Sequence, residues 1–229
     1  MTVPDLAARL ADVDERIADA ARAAGRDPDE LTRIVVTKFH PAALVRELHA
    51  LGVRDVGENR QQELTGKTEE CADLADLRWH FIGQAQTKKA KAIRRAASVV
   101  HSVDRERLAD ALEAAGEGMP TLDVLLQINL TDDPGRGGVA PEGVEPLAEH
   151  ILGLSTLRLR GVMAVAPLDE NPAAAFARLA EHAERVRRLA PEATWLSAGM
   201  TVDFAEAIAV GATHLRIGTA ITGARPDRA

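Results

Sequence analysis

Hydrophobic positions along the chain follow two periods that take turns. Residues 4–25 carry Leu6, Leu10, Val13 and Ile17 at helical spacing, which predicts an amphipathic helix stopped by Gly25. Short apolar runs and helical stretches then alternate. Residues 31–37, with Ile34, Val35 and Val36, predict a buried strand. Pro41 opens a helix with Leu44, Leu48 and Leu51 on one face, closed by Gly52. Residues 53–56 predict a second strand, with a helix after Glu58-Asn59, and residues 78–83 a third, with its helix over 87–97. Residues 98–102 predict a fourth strand, after which Asp104 is expected to cap a helix carrying Leu108 and Leu112. The fifth strand falls at 122–129, and a loop over 132–138 leads to a helix at 141–152. The sixth strand is read at 157–166, before a long helix with Phe176, Leu179, Val186 and Leu189. The seventh falls at 193–197, and Thr201 is expected to cap a helix ending at Gly211. The eighth falls at 214–218, followed by a shorter last element.

Eight strand–helix alternations, with strands broken by few polar residues, predict a parallel sheet covered by helices. Eight such units in this length favour a closed (β/α)8 barrel, of class α/β, with an extra N-terminal helix. The open doubly wound sheet would want glycines in its first strand–helix turn. That turn reads Thr37-Lys38-Phe39-His40-Pro41. The chain is therefore expected to be a single domain over residues 1–229, with 1–30 packing a helix on the barrel and 225–229 a frayed tail.

Composition narrows the chemistry. The net charge is −7, so no global basic field draws the chain to nucleic acid or anionic membrane. The single cysteine, Cys71, excludes an intrachain disulfide and a cysteine-rich zinc site, and it is read as an ordinary helix thiol. No apolar run approaches the roughly 20 residues that span a bilayer, and the start of the chain is no secretory signal. A cytoplasmic, monomeric protein is expected. Tyrosine is absent, and five lysines stand against 23 arginines, so each lysine merits inspection.

In a barrel the loops after the strand ends carry the site. Lys38 follows the first strand directly. Its amine is either partly desolvated and nucleophilic, suited to a Schiff base, or it snorkels to solvent. The loops after strands seven and eight read Ser197-Ala198-Gly199-Met200-Thr201 and Gly218-Thr219-Ala220. Small residues, hydroxyls and a helix start at Thr201 suit a phosphate there. Strands one and eight are neighbours in a closed barrel, so that phosphate would lie beside Lys38. Arg216, two residues before Gly218, should face the same interior. A phosphate, a lysine amine and an arginine between them suggest pyridoxal 5′-phosphate, with Arg216 on the pyridine nitrogen.

The chain also resembles the pyridoxal phosphate homeostasis protein family, related to the N-terminal barrel of alanine racemase. The matching stretches are Val35-Val36-Thr37-Lys38, Gly57-Glu58-Asn59, Gln62-Glu63-Leu64 and Trp79-His80-Phe81-Ile82-Gly83. They continue with His101-Ser102-Val103-Asp104, Gln127-Ile128-Asn129, Gly161-Val162-Met163, Leu196 to Thr201 with Asp203, and Arg216-Ile217-Gly218. The resemblance implies a Schiff base on Lys38 and a phosphate surrounded by Ser197, Met200, Thr201, Gly218 and Thr219. It further implies Arg216 at the pyridine nitrogen and Asn59 near the ring. It implies a role in vitamin B6 homeostasis without strong catalysis, with apo forms of cofactor-dependent enzymes as recipients. The chain departs from the family pattern at Arg60, where tyrosine is usual, across Ala85 to Lys89, at Ala198, at Arg136, where lysine is frequent, and at Thr222.

The racemases built on this barrel pair a lysine with a tyrosine, and this chain has none, which leaves a weak one-base racemase or lyase. A Schiff-base aldolase would need a carboxylate at the mouth, and Glu58 is the nearby candidate. Lys88, Lys89, Lys91, Arg94 and Arg95 read as a basic helix face, solvated or docking a partner protein, rather than a nucleic-acid site. His80, His101 and His214 fall on different strands and are not read as a metal site; His80 is expected to be packed or hydrogen-bonded. Trp79 and Trp195 are expected between barrel and helices.

Overall fold

The computed structural model describes residues 5–224. Eight parallel strands close into one barrel in the order β1 to β8. The strands are β1 (Thr32–Val36), β2 (Asp55–Glu58), β3 (Arg78–Phe81), β4 (Val99–Val103), β5 (Leu122–Gln127), β6 (Leu157–Met163), β7 (Trp195–Ser197) and β8 (His214–Ile217). Helix α1 (Leu6–Ala23) precedes them. Between and after the strands come α2 (Ala42–Ala50), α3 (Gln61–Glu70), α4 (Ala90–Ala96), α5 (Glu106–Ala114), α6 (Val144–Leu152), α7 (Pro172–Leu189), α8 (Phe204–Ala209) and α9 (Thr219–Thr222). The predicted single-domain (β/α)8 barrel with an added N-terminal helix is what the chain forms. The expected frayed tail at 225–229 lies outside the described residues.

The last helix is one turn long, and α1 makes up for it. It buries Leu10, Val13, Ile17 and Ala21 and packs against α8 and α9. Arg9 Nε donates to the Ile221 carbonyl at 2.7 Å. Beyond α1, Arg26 donates to the carbonyls of Ile208 and Ala212 at 3.1 and 2.6 Å, satisfying groups at the end of α8. The N-terminal segment thus takes the place of a full eighth helix in the outer ring.

Several boundaries differ from expectation for local reasons. The second strand lies at Asp55–Glu58 and not at 53–56, because its polar residues are buried by specific partners. The helix after β4 has Arg105 at its N-cap position; Asp104 instead pairs with the Arg105 guanidinium. The predicted helix at 87–97 begins as a 3-10 turn over Thr87–Lys89.

Core packing splits in two layers. Most buried apolar residues, Trp79 among them, lie between barrel wall and helices. A smaller cluster of Val99, Leu125 and Met163, with Trp195 against it, fills the barrel's lower interior. Trp195 therefore corrects the expectation: it sits inside, its ring 4.3 Å from that of His214 and under the Arg160 guanidinium. Space for it comes from Gly161, held at φ +150, where a Cβ would lie 1.8 Å from the Trp195 carbonyl oxygen.

Candidate functional site

The pairing of β1 with β8 sets Ile34 beside Arg216 and Val35 beside Ile217. Inward positions alternate along a strand, so Ile34 and Val36 face the interior, and Lys38 continues that parity past the strand end. Lys38 is exposed at the mouth. Burial therefore does not desolvate its amine, contrary to the first of the two readings offered for it. What the fold supplies is a fixed backbone. The turn forces Phe39 to φ +70, the sole positive φ of a non-glycine among the described residues. The Phe39 amide donates to Glu63 Oε2 at 2.7 Å. On the other side of Lys38, the Thr37 carbonyl accepts from Lys67 Nζ at 2.8 Å, and the Thr37 hydroxyl donates to Glu58 Oε1 at 2.6 Å.

Lys67 and Glu58 complete this clamp with a 2.5 Å ion pair whose side chains are 7% and 0% exposed. Burial pushes the Glu58 carboxyl above its ordinary value, against the pull of Lys67. Glu58 lies behind the barrel wall, committed to Lys67 and Thr37. It is not the mouth carboxylate that an aldolase would use. Sequence reasoning overlooked Lys67, although a signal existed: it shares the buried face of α3 with Leu64, where a lysine requires a partner.

The loop after β7 departs from expectation. Thr201 does not cap α8, which starts at Phe204 with Asp203 at the N-cap position. The Asp203 carboxylate turns back instead and accepts the Met200 amide at 2.6 Å, while the Asp203 amide donates to the Met200 carbonyl at 3.2 Å. Residues 200–203 thereby close into a turn. Met200 and Thr201 are half-buried. After β8, half-buried Gly218 leads into α9, and Thr219 is exposed at its first position, where N–H groups take no intrahelical acceptor.

Arg216 and Ser197 occupy the floor between these loops. Arg216 is 5% exposed and donates to Ser197 Oγ at 2.7 Å and to the Ala164 carbonyl at 2.8 Å. Burial lowers its pKa to about 10, which leaves it charged at neutral pH. The Ser197 hydroxyl is fully buried, with Arg216 and His101 as its partners. Asn59 is brought to the mouth from β2. Gly83 lets it sit there, since a Cβ on Gly83 would lie 2.0 Å from the Asn59 carbonyl oxygen. Asn59 Oδ1 is buried without a hydrogen-bond partner.

His80, His101 and His214, which fall on three different strands, converge inside the barrel with ring centroids 5.1 to 6.4 Å from one another. His80 is hydrogen-bonded, as expected. The basic helix face is reduced, because Arg94 is buried and donates to the Pro120 carbonyl. Lys88 and Lys89 with Arg60 line a groove of about 670 Å3 that reaches Asn59. Cys71 is buried at the end of α3, which pushes its thiol up. No helix among the described residues is long and apolar enough to cross a membrane.

Residues 10–226 match the family model for the alanine racemase N-terminal domain. A pyridoxal phosphate homeostasis protein of Pseudomonas aeruginosa is 46% identical over 221 residues, covering 96% of each chain. Its namesake in Escherichia coli is 38% identical over 234 residues, covering 96% of this chain and 97% of that one. PipY of Synechococcus elongatus, solved with pyridoxal phosphate bound, superposes with a TM-score of 0.85 at 35% identity, covering 96% of this chain and all of PipY. Alanine racemase of Corynebacterium glutamicum, at 15% identity and a TM-score of 0.67, shares the fold. By sequence over nearly its whole length, the chain belongs to the alanine racemase N-terminal domain family and, within it, to the pyridoxal phosphate homeostasis proteins.

Proposed function

We propose that this chain binds pyridoxal 5′-phosphate at the barrel mouth, held as a Schiff base on Lys38, and serves intracellular vitamin B6 homeostasis without strong catalysis of its own. The observation that carries the reading is the β1–β8 seam: one strand carries the buried, charged Arg216 guanidinium, and its neighbour runs on into the exposed Lys38 amine on a clamped backbone. The donor set fits the group. Lys38 supplies an amine for its aldehyde, and Arg216 a permanent donor for its ring nitrogen. The backbone at Met200, Thr201, Gly218 and Thr219 would receive its phosphate, and the buried, unpartnered Asn59 Oδ1 would face its ring. The bound group would supply a reactive aldehyde and an electron-withdrawing ring.

The residues around it argue for holding rather than turnover. Arg216 keeps its charge to a pKa of about 10, so it donates to the ring nitrogen without protonating it, which weakens the ring as an electron sink. Glu58 is locked behind the wall, and the chain has no tyrosine. Its partners under this reading are the cofactor itself and apo forms of enzymes that use it, and it acts as a monomer.

The test is a visible absorption spectrum of the purified protein beside Lys38→Ala, followed by borohydride reduction and peptide mass mapping. A band in the wild type, fixed by reduction onto Lys38 and lost in the variant, is expected. No band after addition of pyridoxal 5′-phosphate, or reduction onto another lysine, would overturn the reading.

A further inference from the structure

We propose that Asp55, His80, His101 and Ser197 are positioning residues for Arg216, joined in one hydrogen-bonded chain that runs through the barrel interior with a single direction. The chain starts at the base. Asp55 Oδ1 lies 2.8 Å from His80 Nε2, and His80 Nδ1 lies 2.9 Å from His101 Nε2. His101 Nδ1 lies 2.9 Å from Ser197 Oγ, which Arg216 reaches at 2.7 Å. Residues far apart in sequence meet because each occupies an inward position on its strand.

The carboxylate end, with both rings neutral, fixes the direction. A guanidinium only donates, so Ser197 Oγ accepts from Arg216, and its one O–H remains to donate to His101 Nδ1. A carboxylate only accepts, so His80 Nε2 carries a hydrogen toward Asp55. Burial pushes the Asp55 carboxyl up, but hydrogen bonds from His80 and Arg78 outweigh it and hold the group below its usual value. The middle contact then closes one way: His101 Nε2–H donates to His80 Nδ1. Both imidazoles are neutral and carry their hydrogen on Nε2, and every donor meets an acceptor. A proton added to His80 would face the His101 Nε2–H, and one added to His101 would leave the Ser197 O–H without its acceptor. Burial disfavours that proton in both rings, most strongly in His101, which also feels Arg216.

The consequence reaches the mouth. Two of Arg216's nitrogens are tied, one to Ser197 and one to the Ala164 carbonyl, so the guanidinium plane is held by protein groups on two sides. The inference that this serves the ring nitrogen rests on the proposed cofactor site. The hydrogen-bond direction itself does not.

Nitrogen-15 NMR of the histidine-labelled protein without cofactor reads the chain alone. Resonances of His80 and His101, assigned through His80→Gln and His101→Gln, should both show neutral rings protonated at Nε2 at pH 7.5. A ring protonated at Nδ1, or charged, would overturn the proposal whatever the protein binds. A second arm titrates pyridoxal 5′-phosphate into wild type, Ser197→Ala and Ser197→Thr. The alanine variant should bind about tenfold more weakly, with a shifted absorption maximum, and threonine should restore both. Equal affinity and spectra for Ser197→Ala would remove the positioning role. Wild type that binds nothing, with the expected tautomers intact, would instead sink the cofactor site and leave the hydrogen-bonded chain standing.

Discussion

Two polar clusters lie on either side of the barrel wall, built from opposite materials. Behind the wall, Glu58 and Lys67 form an ion pair 2.5 Å apart, buried under α3. Inside, the wall carries neutral imidazoles between one carboxylate and one guanidinium. The difference follows from reach. A helix can deliver a long lysine side chain onto a strand-end carboxylate, whereas inward strand positions are short of room and pass polarity along through rings that both donate and accept. A charge pair resists loss of a partner poorly, because the survivor is stranded in low dielectric. A neutral chain resists acid poorly, because each ring must gain a proton it has no place for.

Acid should separate the two clusters most sharply. His80, His101 and His214 all sit below the ordinary 6.5, His214 at about 3, chiefly through burial. Below pH 6.5 the unfolded chain binds protons there that the native chain does not, so stability falls as pH falls. For His214 alone the loss should reach about 2 kcal/mol by pH 5, and His80 and His101 add to it in the same direction. Glu58 works in the opposite direction, since its carboxyl is raised in the fold and acidification through that group favours the native state. Urea midpoints measured from pH 7.5 to 5 should fall steeply. A flat profile would mean that the inner rings are charged or solvated.

The outer cluster should fail on mutation. Lys67→Met strands Glu58 beside Thr37 and should cost about 3–5 kcal/mol in urea unfolding. Adding Glu58→Gln should recover most of that, because the neutral amide still accepts from Thr37. If the double variant were no better than the single, the ion pair would not be what holds the segment around Lys38.

These two clusters also mark what the sequence revealed and what it hid. The barrel was legible because strands covered on both sides read as apolar runs, and the β1–β8 seam followed from closure. Lys38 and Arg216 could be placed from that seam and from strand parity. The same parity, applied to β3, β4 and β7, would have gathered His80, His101 and Ser197 around Arg216. Lys67 was harder, since its partners are a strand-end glutamate nine residues back and a carbonyl thirty residues back. β2 was displaced by two residues because Asp55 is buried against His80 and Arg78, and Glu58 against Lys67 and Thr37, which hydropathy does not register. Asp203 competes with Thr201 for the loop after β7, and local propensity alone favours neither.

Gly83 tests how the mouth is held between the clusters. Gly83→Ala places a methyl 2.0 Å from the Asn59 carbonyl oxygen, closer than any real contact, so one of the two backbones must shift. The expected cost is about 1–3 kcal/mol in urea unfolding, as for other overpacked sites. Because Asn59 follows Glu58 directly, the shift should also appear in hydrogen exchange of the Thr37–Phe39 segment. Full stability in this variant would mean that the close approach of the two loops is not required.

The smallest effect should come from Phe39, where opposing terms nearly cancel. Its φ of +70 costs a phenylalanine about 1–2 kcal/mol relative to an ordinary backbone, and asparagine tolerates that region better. The ring returns part of that cost, with the Arg60 guanidinium 4.9 Å and Lys38 Nζ 5.9 Å from its centroid. Each such contact at an exposed site contributes about 0.5–1 kcal/mol. Phe39→Asn keeps the amide that Glu63 accepts, so the backbone on the far side of Lys38 stays fixed while the ring is lost. Stability should then change by less than about 1 kcal/mol, and the Lys38 amine should react faster with an amine-directed label, having lost the ring beside it. A loss of several kcal/mol would show that the ring, rather than the Glu58–Lys67–Glu63 clamp, sets the turn. That outcome would move the anchor of Lys38 from the outer cluster to the surface.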